Sequence, residues 1–560
     1  MANYRLRTLL LTLICLAFAD SPPRAAEPIL HKRTIVTSGK PVDAFAKWKM
    51  EDGFISGEGK GNDLSAAHTL GRGDFHIAAR LRILRQKKSA VSFFLDGSHF
   101  GFEGAQETVY VNGDVFGGLQ LLMKSTDLFE RESWIDFKAI RTNGHLTFLV
   151  NGRKVISERD GDREYSRFGF RPSRAKIQIE RFTVVGNANP KPKPVVPKIE
   201  QFSVPLIDLD QETHRQVVVD REKGQYLGHP TTCLLDDGKT ILCVYPKGHG
   251  RGPIVYKRSS DGGLTWSDRL PTPTSWATSM EVPTLHRVTD ANGKKRIIMW
   301  SGLYPARLAV TEDDGANWGE LKQVGDWGGI VVMGCVEELK TGPGHYVALF
   351  HDDGRFFTKD GQRENPVRFK LFKTFSRDGG LTWTFPKVIF ESTDIHLCEP
   401  GIVRSPNGNQ LAVLLRENRR VKNSHIIFSN DEAKTWTAPR ELPNELTGDR
   451  HSGKYLPDGR LFLTFRDRTP KNWISPTAGD WAGWIGTYED LVNGTPGQYR
   501  LRLKDNHKGA DCTYPGVEVL PDGTVVTTTY GHWTQGEQAY ILSVRFKGDE
   551  LDARVTESAK

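Results

Sequence analysis

Cysteine is scarce, with 6 in 560 residues. Cys15 lies in an N-terminal apolar run, which leaves Cys233, Cys243, Cys335, Cys398 and Cys512, an odd and widely spaced set. Such a set argues against a disulfide framework, and with no CxxC or His-rich spacing nothing implies a zinc site. Cys233 and Cys243 flank one hairpin and are near enough in sequence to pair, but buried thiols are the expectation. No metal and no organic cofactor is implied. A dominant sign of charge is also missing: 76 Lys and Arg stand against 68 Asp and Glu, a net +8. The basic residues are scattered, with short clusters such as Arg416 to Arg420 and no aromatic-interleaved basic stripe, so nucleic acid is not an expected partner. The mild positive bias suits an anionic glycan instead. Long hydrophobic runs are lacking beyond the N-terminus, so no membrane span is expected in the mature chain. Leu9 to Phe18 is too short to cross a bilayer comfortably. With Arg5 and Arg7 before it and Ala17-Phe18-Ala19 after it, it reads as an export signal within residues 1–26, which predicts a secreted or periplasmic protein. Cys15 follows Ile14, which speaks against a lipoprotein site.

What is abundant is glycine (56), phenylalanine (28) and tryptophan (13), a composition that suits a turn-rich all-β chain with aromatic packing. A stretch alternating proline with polar residues, from Asn187 through Pro190, Pro192 and Pro194 to Pro197, reads as a stiff linker over 187–199. It separates an expected β-sandwich at 27–186 from a larger region at 200–560. In the first region "FHIAARLRIL", "AVSFFLDG" and "WIDFKAIRTNGHLTFLVNGRKV" alternate apolar and polar residues between Asn-Gly and Asp-Gly turns. "RTNGHLTFLVNGRKV" with "FGFRP" resembles the concanavalin-like jelly roll of laminin-G-type and keto-disaccharide-hydrolase-type domains. The resemblance implies a glycan-binding or packing module.

The second region repeats. "SSDGGLTW" (Ser259 to Trp266) and "SRDGGLTW" (Ser376 to Trp383) share S-x-D-x-G-x-T-W. "SNDEAKTW" (Ser429 to Trp436) keeps all but the glycine, and "TEDDGANW" (Thr311 to Trp318) is a degenerate copy. In this pattern Ser and Asp bond the backbone of a tight turn, Gly takes a positive φ and Trp packs beneath. A second repeat, strand–turn–strand, occurs six times and often starts at an X-Pro pair. Taken as the inner hairpins of blades, these six copies predict a six-bladed β-propeller preceded by a jelly-roll β-sandwich. The start of the first strand and the end of the second must share one face, which nominates a ring: His229, Glu281, Glu399, Arg450, His451 and Tyr514 at the starts; His249, Arg251, His351, Arg416, Arg466 and His532 at or after the ends. The ring is dominated by His, Arg, Glu and Tyr, while Ser, Thr and Lys are few.

Tyr beside a carboxylate can act as a nucleophile, because the carboxylate takes the phenolic proton. A neutral Tyr is suited to an anionic sugar that would repel a carboxylate nucleophile. Arg416 and Arg466 offer planar forks for a substrate carboxylate. The S-x-D-x-G-x-T-W repeats are the Asp boxes of sialidase-type propellers, and "CEPGIVRSPNGNQLAVLLRENRRVKNSHIIFSNDEAKTW" and "TYPGVEVLPDGTVVTTTY" resemble the sialidase segments carrying a catalytic glutamate, an arginine and the nucleophilic tyrosine. The resemblance implies Tyr514 as nucleophile, Glu399 as its partner and Arg416 as one of the family's three arginines. Three features depart from it. Gly228-His229-Pro230 stands where the family has Arg-Ile-Pro, the loop "PKGHGRGP" has no acidic residue for the family's acid/base, and "GDWAGWIG" has no arginine. Arg466 or Arg450 can substitute by position, and His249 and His229 are the available proton-transfer groups near the first blade. Three readings follow: an exo-acting sialidase-like glycoside hydrolase on a sialic or uronic acid, a polysaccharide lyase or unusual glycosidase using His and Tyr, and a non-catalytic glycan-binding propeller.

Overall fold

The computed structural model describes residues 49–558, apart from 52, 60–62, 67, 87, 191–197, 303–304, 327–328 and 356–365. The expected export signal and residues 191–197 of the expected linker lie outside the described residues. The chain divides into two compact units, 1–194 and 195–560.

The first unit has two antiparallel sheets. One holds seven strands in the order Lys49–Glu51, Phe54–Glu58, Lys176–Pro190, His68–Leu84, Ile135–Thr142, His145–Val150 and Arg153–Arg159. The other holds six: Leu64–Ser65, Phe168–Arg171, Ala90–Leu95, Ser98–Glu103, Thr108–Asn112 and Gln120–Lys124. Alternation puts Phe75, Ile77, Ala79, Leu81 and Ile83 on the inner face of one long strand. Phe93 and Phe100 of the second sheet pack on Phe137 and Phe148 of the first, with centroids 5.0 Å and 4.7 Å apart for Phe93–Phe137 and Phe100–Phe148. Asn143-Gly144 turns the chain with both residues at positive φ (49° and 72°), as a two-residue hairpin turn requires. The last strand runs past the boundary expected at 186. Ala188, Asn189 and Pro190 still pair with Leu70, Thr69 and His68, after a register shift between Gly186 and Ala188.

The second unit contains, besides a two-stranded sheet, six larger sheets that each have one edge strand at the centre: Thr231–Leu234, Thr284–Thr289, Met333–Glu338, Leu397–Arg404, Asp449–Tyr455 and Gly516–Val519. Each of these strands neighbours the next, and the sixth neighbours the first, so they form a closed ring. This is β-propeller architecture. The strand Gln216–Asp220, from the start of the unit, completes the last sheet by pairing with Tyr540–Phe546. Glycine is needed where the inner strands crowd together: a Cβ on Gly401 would lie 2.1 Å from the His451 carbonyl oxygen. The Asp boxes behave as their pattern predicts. Ser259 Oγ accepts from Gly263 N–H at 2.8 Å, and Asp261 accepts from Leu264 and Thr265 N–H. In the copy without glycine, Glu432 and Ala433 take the left-handed conformation themselves (57° and 63°), and Arg404 pairs with Glu432.

All five cysteines among the described residues are free and buried. Cys243 lies opposite Thr232, one residue off Cys233, so the two thiols point to opposite faces of their sheet. Among the described residues no helix is long and apolar enough to cross a membrane, and no group of three or more His, Cys, Asp or Glu is placed to hold a metal ion.

Candidate active site

The starts of the inner strands carry unusual backbone. His229, Glu399, Arg450 and Thr513 have φ of 53°, 51°, 56° and 62°. Non-glycine residues rarely adopt this conformation, and it costs on the order of 1–3 kcal/mol each. Bulges accompany it: pairing shifts between Cys398 and Gly401 and between Asp449 and Ser452. A bulge bends the strand and re-aims its side chains. Here it brings together groups far apart in sequence.

Tyr514 Oη donates to Glu399 Oε1. Arg416 Nη1 donates to the same oxygen at 2.7 Å. Glu399 is buried, and among the described residues Oε2 has no hydrogen-bond partner. Burial alone would raise the Glu399 carboxyl, but the charges of Arg416 and Arg466 and the bond from Tyr514 outweigh it and hold it low. Burial, reinforced by the Glu399 charge, pushes the Tyr514 phenol well above its usual range. The pair therefore consists of a neutral phenol and an ionised carboxylate. Arg450 and Arg466 lie over the Tyr514 ring at 5.5 and 5.8 Å from its centroid. Arg450 Nη2 donates to the Met333 carbonyl at 3.1 Å, while its buried Nη1 has no hydrogen-bond partner among the described residues.

The sequence reading missed Asp449 and Arg420. Asp449 is wholly buried, and three guanidinium groups converge on it: Arg420 at 2.6 Å, Arg466 at 2.8 Å and Arg416 at 3.4 Å. Burial opposes its ionisation, but Arg416, Arg466 and Arg420 together hold its carboxyl far below the usual range. Arg466 also donates Nη1 to the carbonyls of Ala510 and Cys512 at 3.0 and 3.2 Å, which ties the cluster to the segment leading into Tyr514. Arg416, Arg420 and Arg466 thus face two carboxylates, with Arg450 beside them over the Tyr514 ring, a surplus of positive charge at a buried mouth.

The histidines divide. His229 is buried with its ring 4.3 Å from that of Tyr514. Its Nδ1 accepts from Gly250 N–H at 3.0 Å and its Nε2 faces Tyr530 Oη at 3.3 Å, so neither nitrogen is left for a substrate proton. Burial, with the nearby His249 and Arg466, pushes it well below its ordinary range. His351 is also buried, and its Nδ1 faces the Glu399 N–H at 3.4 Å, so it supports Glu399 from below. His451 departs from the expected ring. The bulge turns it inward, onto the Leu446 carbonyl (Nε2–O 2.8 Å) and the Phe465 ring. His532 is buried against the Glu537 carbonyl at 2.8 Å and Asp511 at 3.1 Å. His249 is the exposed member, its side chain 63% accessible. It lines a cleft of about 840 Å³ with Lys247, Arg251, Thr278 and Met280. Arg251 is solvent-exposed there, not part of the buried cluster. Glu281 is half-buried beside Gly250, and burial, with the charges of Glu399 and Asp353, pushes its carboxyl up to about 8 against the pull of the Val282 N–H and Arg355.

Residues 299–525 match the family model described as BNR repeat-like domain. No curated protein matches the sequence. Among solved structures the chain is similar to a protein of unknown function from Dyadobacter fermentans (16% identity, TM-score 0.47, 59% of this chain and 97% of that one). It is also similar to the leech intramolecular trans-sialidase (12%, TM-score 0.42, 88% and 99%) and to the intramolecular trans-sialidase of Ruminococcus gnavus (14%, TM-score 0.41, 58% and 95%). The matched residues include three of the four Asp boxes, Glu399, Arg416 and Tyr514. These residues resemble a BNR repeat-like domain.

Proposed function

We propose that the chain is an exported, retaining, exo-acting glycoside hydrolase of sialidase-like type that removes an anionic terminal sugar, a sialic or uronic acid, from a glycan. The observation that carries this reading is the shared oxygen of Glu399, which takes both the Tyr514 phenol and the Arg416 guanidinium. Tyr514 Oη attacks the anomeric carbon, its proton passes to Glu399, and the bond to the leaving oxygen breaks. Water then releases the sugar, and the phenol recovers its proton. The arginine surplus supports an anionic substrate, since guanidinium binds carboxylate in a planar fork. The sandwich unit serves as a glycan-binding or packing module.

The test is covalent trapping. A fluorinated sialic or uronic acid carrying a fluoride leaving group should label Tyr514, read by peptide mass mapping. Unsaturated product from an acidic polysaccharide, with no label, would favour a lyase. Binding without turnover would favour a lectin-like propeller.

A further inference from the structure

The family's acid/base carboxylate has no counterpart in the loop after the first hairpin, so the proton for the leaving oxygen must come from elsewhere. The described geometry offers one built arrangement. His249 Nδ1 lies 2.7 Å from Tyr226 Oη and 3.3 Å from Asp511 Oδ1. Tyr226 Oη in turn donates to Asp511 Oδ1 at 2.7 Å. Because the Tyr226 hydrogen goes to the carboxylate, its oxygen accepts from His249, which fixes the His249 proton on Nδ1. Among the described residues Nε2 is left with no hydrogen-bond partner, on an exposed ring. Asp511 lies three residues before Tyr514, so the segment that carries the nucleophile also orients the histidine.

We propose that His249 is the acid/base of this site and that Asp511, acting directly and through Tyr226, is the residue that positions it. The inference rests on the glycosidase reading above. In the first step protonated His249 gives its Nε2 proton to the leaving oxygen as the glycosidic bond breaks and the Tyr514 Oη–carbon bond forms. In the second, neutral Nε2 takes a proton from water as the water oxygen bonds to the anomeric carbon and Tyr514 leaves. Asp511 holds the imidazole in one tautomer and stabilises the imidazolium, as carboxylate–histidine pairs do elsewhere. The surroundings are consistent with an ionised Asp511: burial opposes it, but His249, Tyr226 and His532 hold its carboxyl far below the usual range. The other groups facing His249 are the His229 ring at 4.7 Å and the Tyr530 ring at 6.5 Å, with Glu281 beside Gly250 and Lys247 and Arg251 on its own loop.

A general acid matters most when the leaving group is poor. The full-length chain and its His249→Ala, Asp511→Asn, Glu281→Gln and Tyr514→Phe variants are compared on 4-nitrophenyl and methyl glycosides of sialic acid and of glucuronic acid. His249→Ala and Asp511→Asn should lose about 10²–10⁴-fold in kcat/KM on the methyl glycosides and less than about tenfold on the 4-nitrophenyl ones. His249 is exposed, so its replacement leaves the fold intact. Equal losses on both leaving groups, or a leaving-group-dependent loss in Glu281→Gln instead, would overturn the assignment while leaving the nucleophile reading standing. Near-normal turnover by Tyr514→Phe, or no turnover by the unmodified chain, would overturn both.

Discussion

Tyr514 and Arg416 meet on one oxygen of Glu399, although Tyr514 is 115 residues and Arg416 is 17 residues away in sequence. The arginine keeps the carboxylate ionised, and the carboxylate keeps an acceptor against the phenol. Glu399→Gln removes the acceptor charge without changing shape, so it should slow turnover by about 10²–10⁴-fold while substrate affinity changes little. Tyr514→Phe should abolish turnover. The double variant should be no worse than Tyr514→Phe, because both groups serve one event. Additive losses in kcat/KM would separate their roles and count against a single step.

Asp449 gives the arginine cluster a cost and a use. Its carboxylate neutralises part of the guanidinium charge that an anionic sugar would otherwise meet. Asp449→Asn should destabilise the fold by roughly 3–5 kcal/mol, the range for breaking a buried ion pair. The same change should tighten binding of a monocarboxylate sugar, because Arg416, Arg420 and Arg466 lose their internal partner. Arg416→Ala should weaken anionic ligands far more than neutral ones, by about 2–5 kcal/mol. Calorimetric titration with a charged sugar and its methyl ester separates these outcomes. Equal changes for both ligands would remove the carboxylate from the argument.

The hairpin rule nominated Glu399, Arg416, Arg466 and Tyr514, which the structure brings together, because they sit where a strand starts or ends, and strand ends share a face regardless of sequence distance. The rule failed for His451. It assumes simple alternation, and the bulge at Arg450 changes the parity of every side chain after it. Asp449 was passed over for the same reason, one residue away in "TGDRHSG". Asp511 and Tyr226 lie in segments outside the hairpins, where spacing carries no geometric information. Pro190 reads as a linker residue, yet its strand still pairs with His68, because a strand end is set by pairing that composition does not show.

Buried histidines set an acid limit. His351 and His451 are held at about 4, chiefly by burial, and His286 at about 3. Unfolding returns each to about 6.5. The unfolded chain therefore binds more protons between those values, and stability falls as pH drops through that window. Each histidine contributes on the order of 3 kcal/mol at neutral pH that is lost by pH 4. Glu399 and Asp449 are depressed carboxylates, so their contribution is lost only at lower pH, below the ordinary carboxylate range. Urea titrations should show the unfolding free energy declining from about pH 6.5 downward. A flat profile between pH 7 and 5 would mean these rings are charged in the folded state.

Glu281 sets the opposite limit. Its carboxyl, raised to about 8 chiefly by burial, is neutral at pH 7 and can donate a hydrogen bond to a bound sugar. Above about pH 8 it ionises and places a negative charge in a mouth that also holds Glu399. An anionic substrate is then repelled, so KM should rise on the alkaline side. Glu281→Gln keeps the neutral shape at every pH. It should match the unmodified chain in KM at pH 6–7 and hold that KM at pH 9, where the unmodified chain loses affinity. A Glu281→Gln variant that follows the same alkaline rise in KM would show that the rise comes from another group.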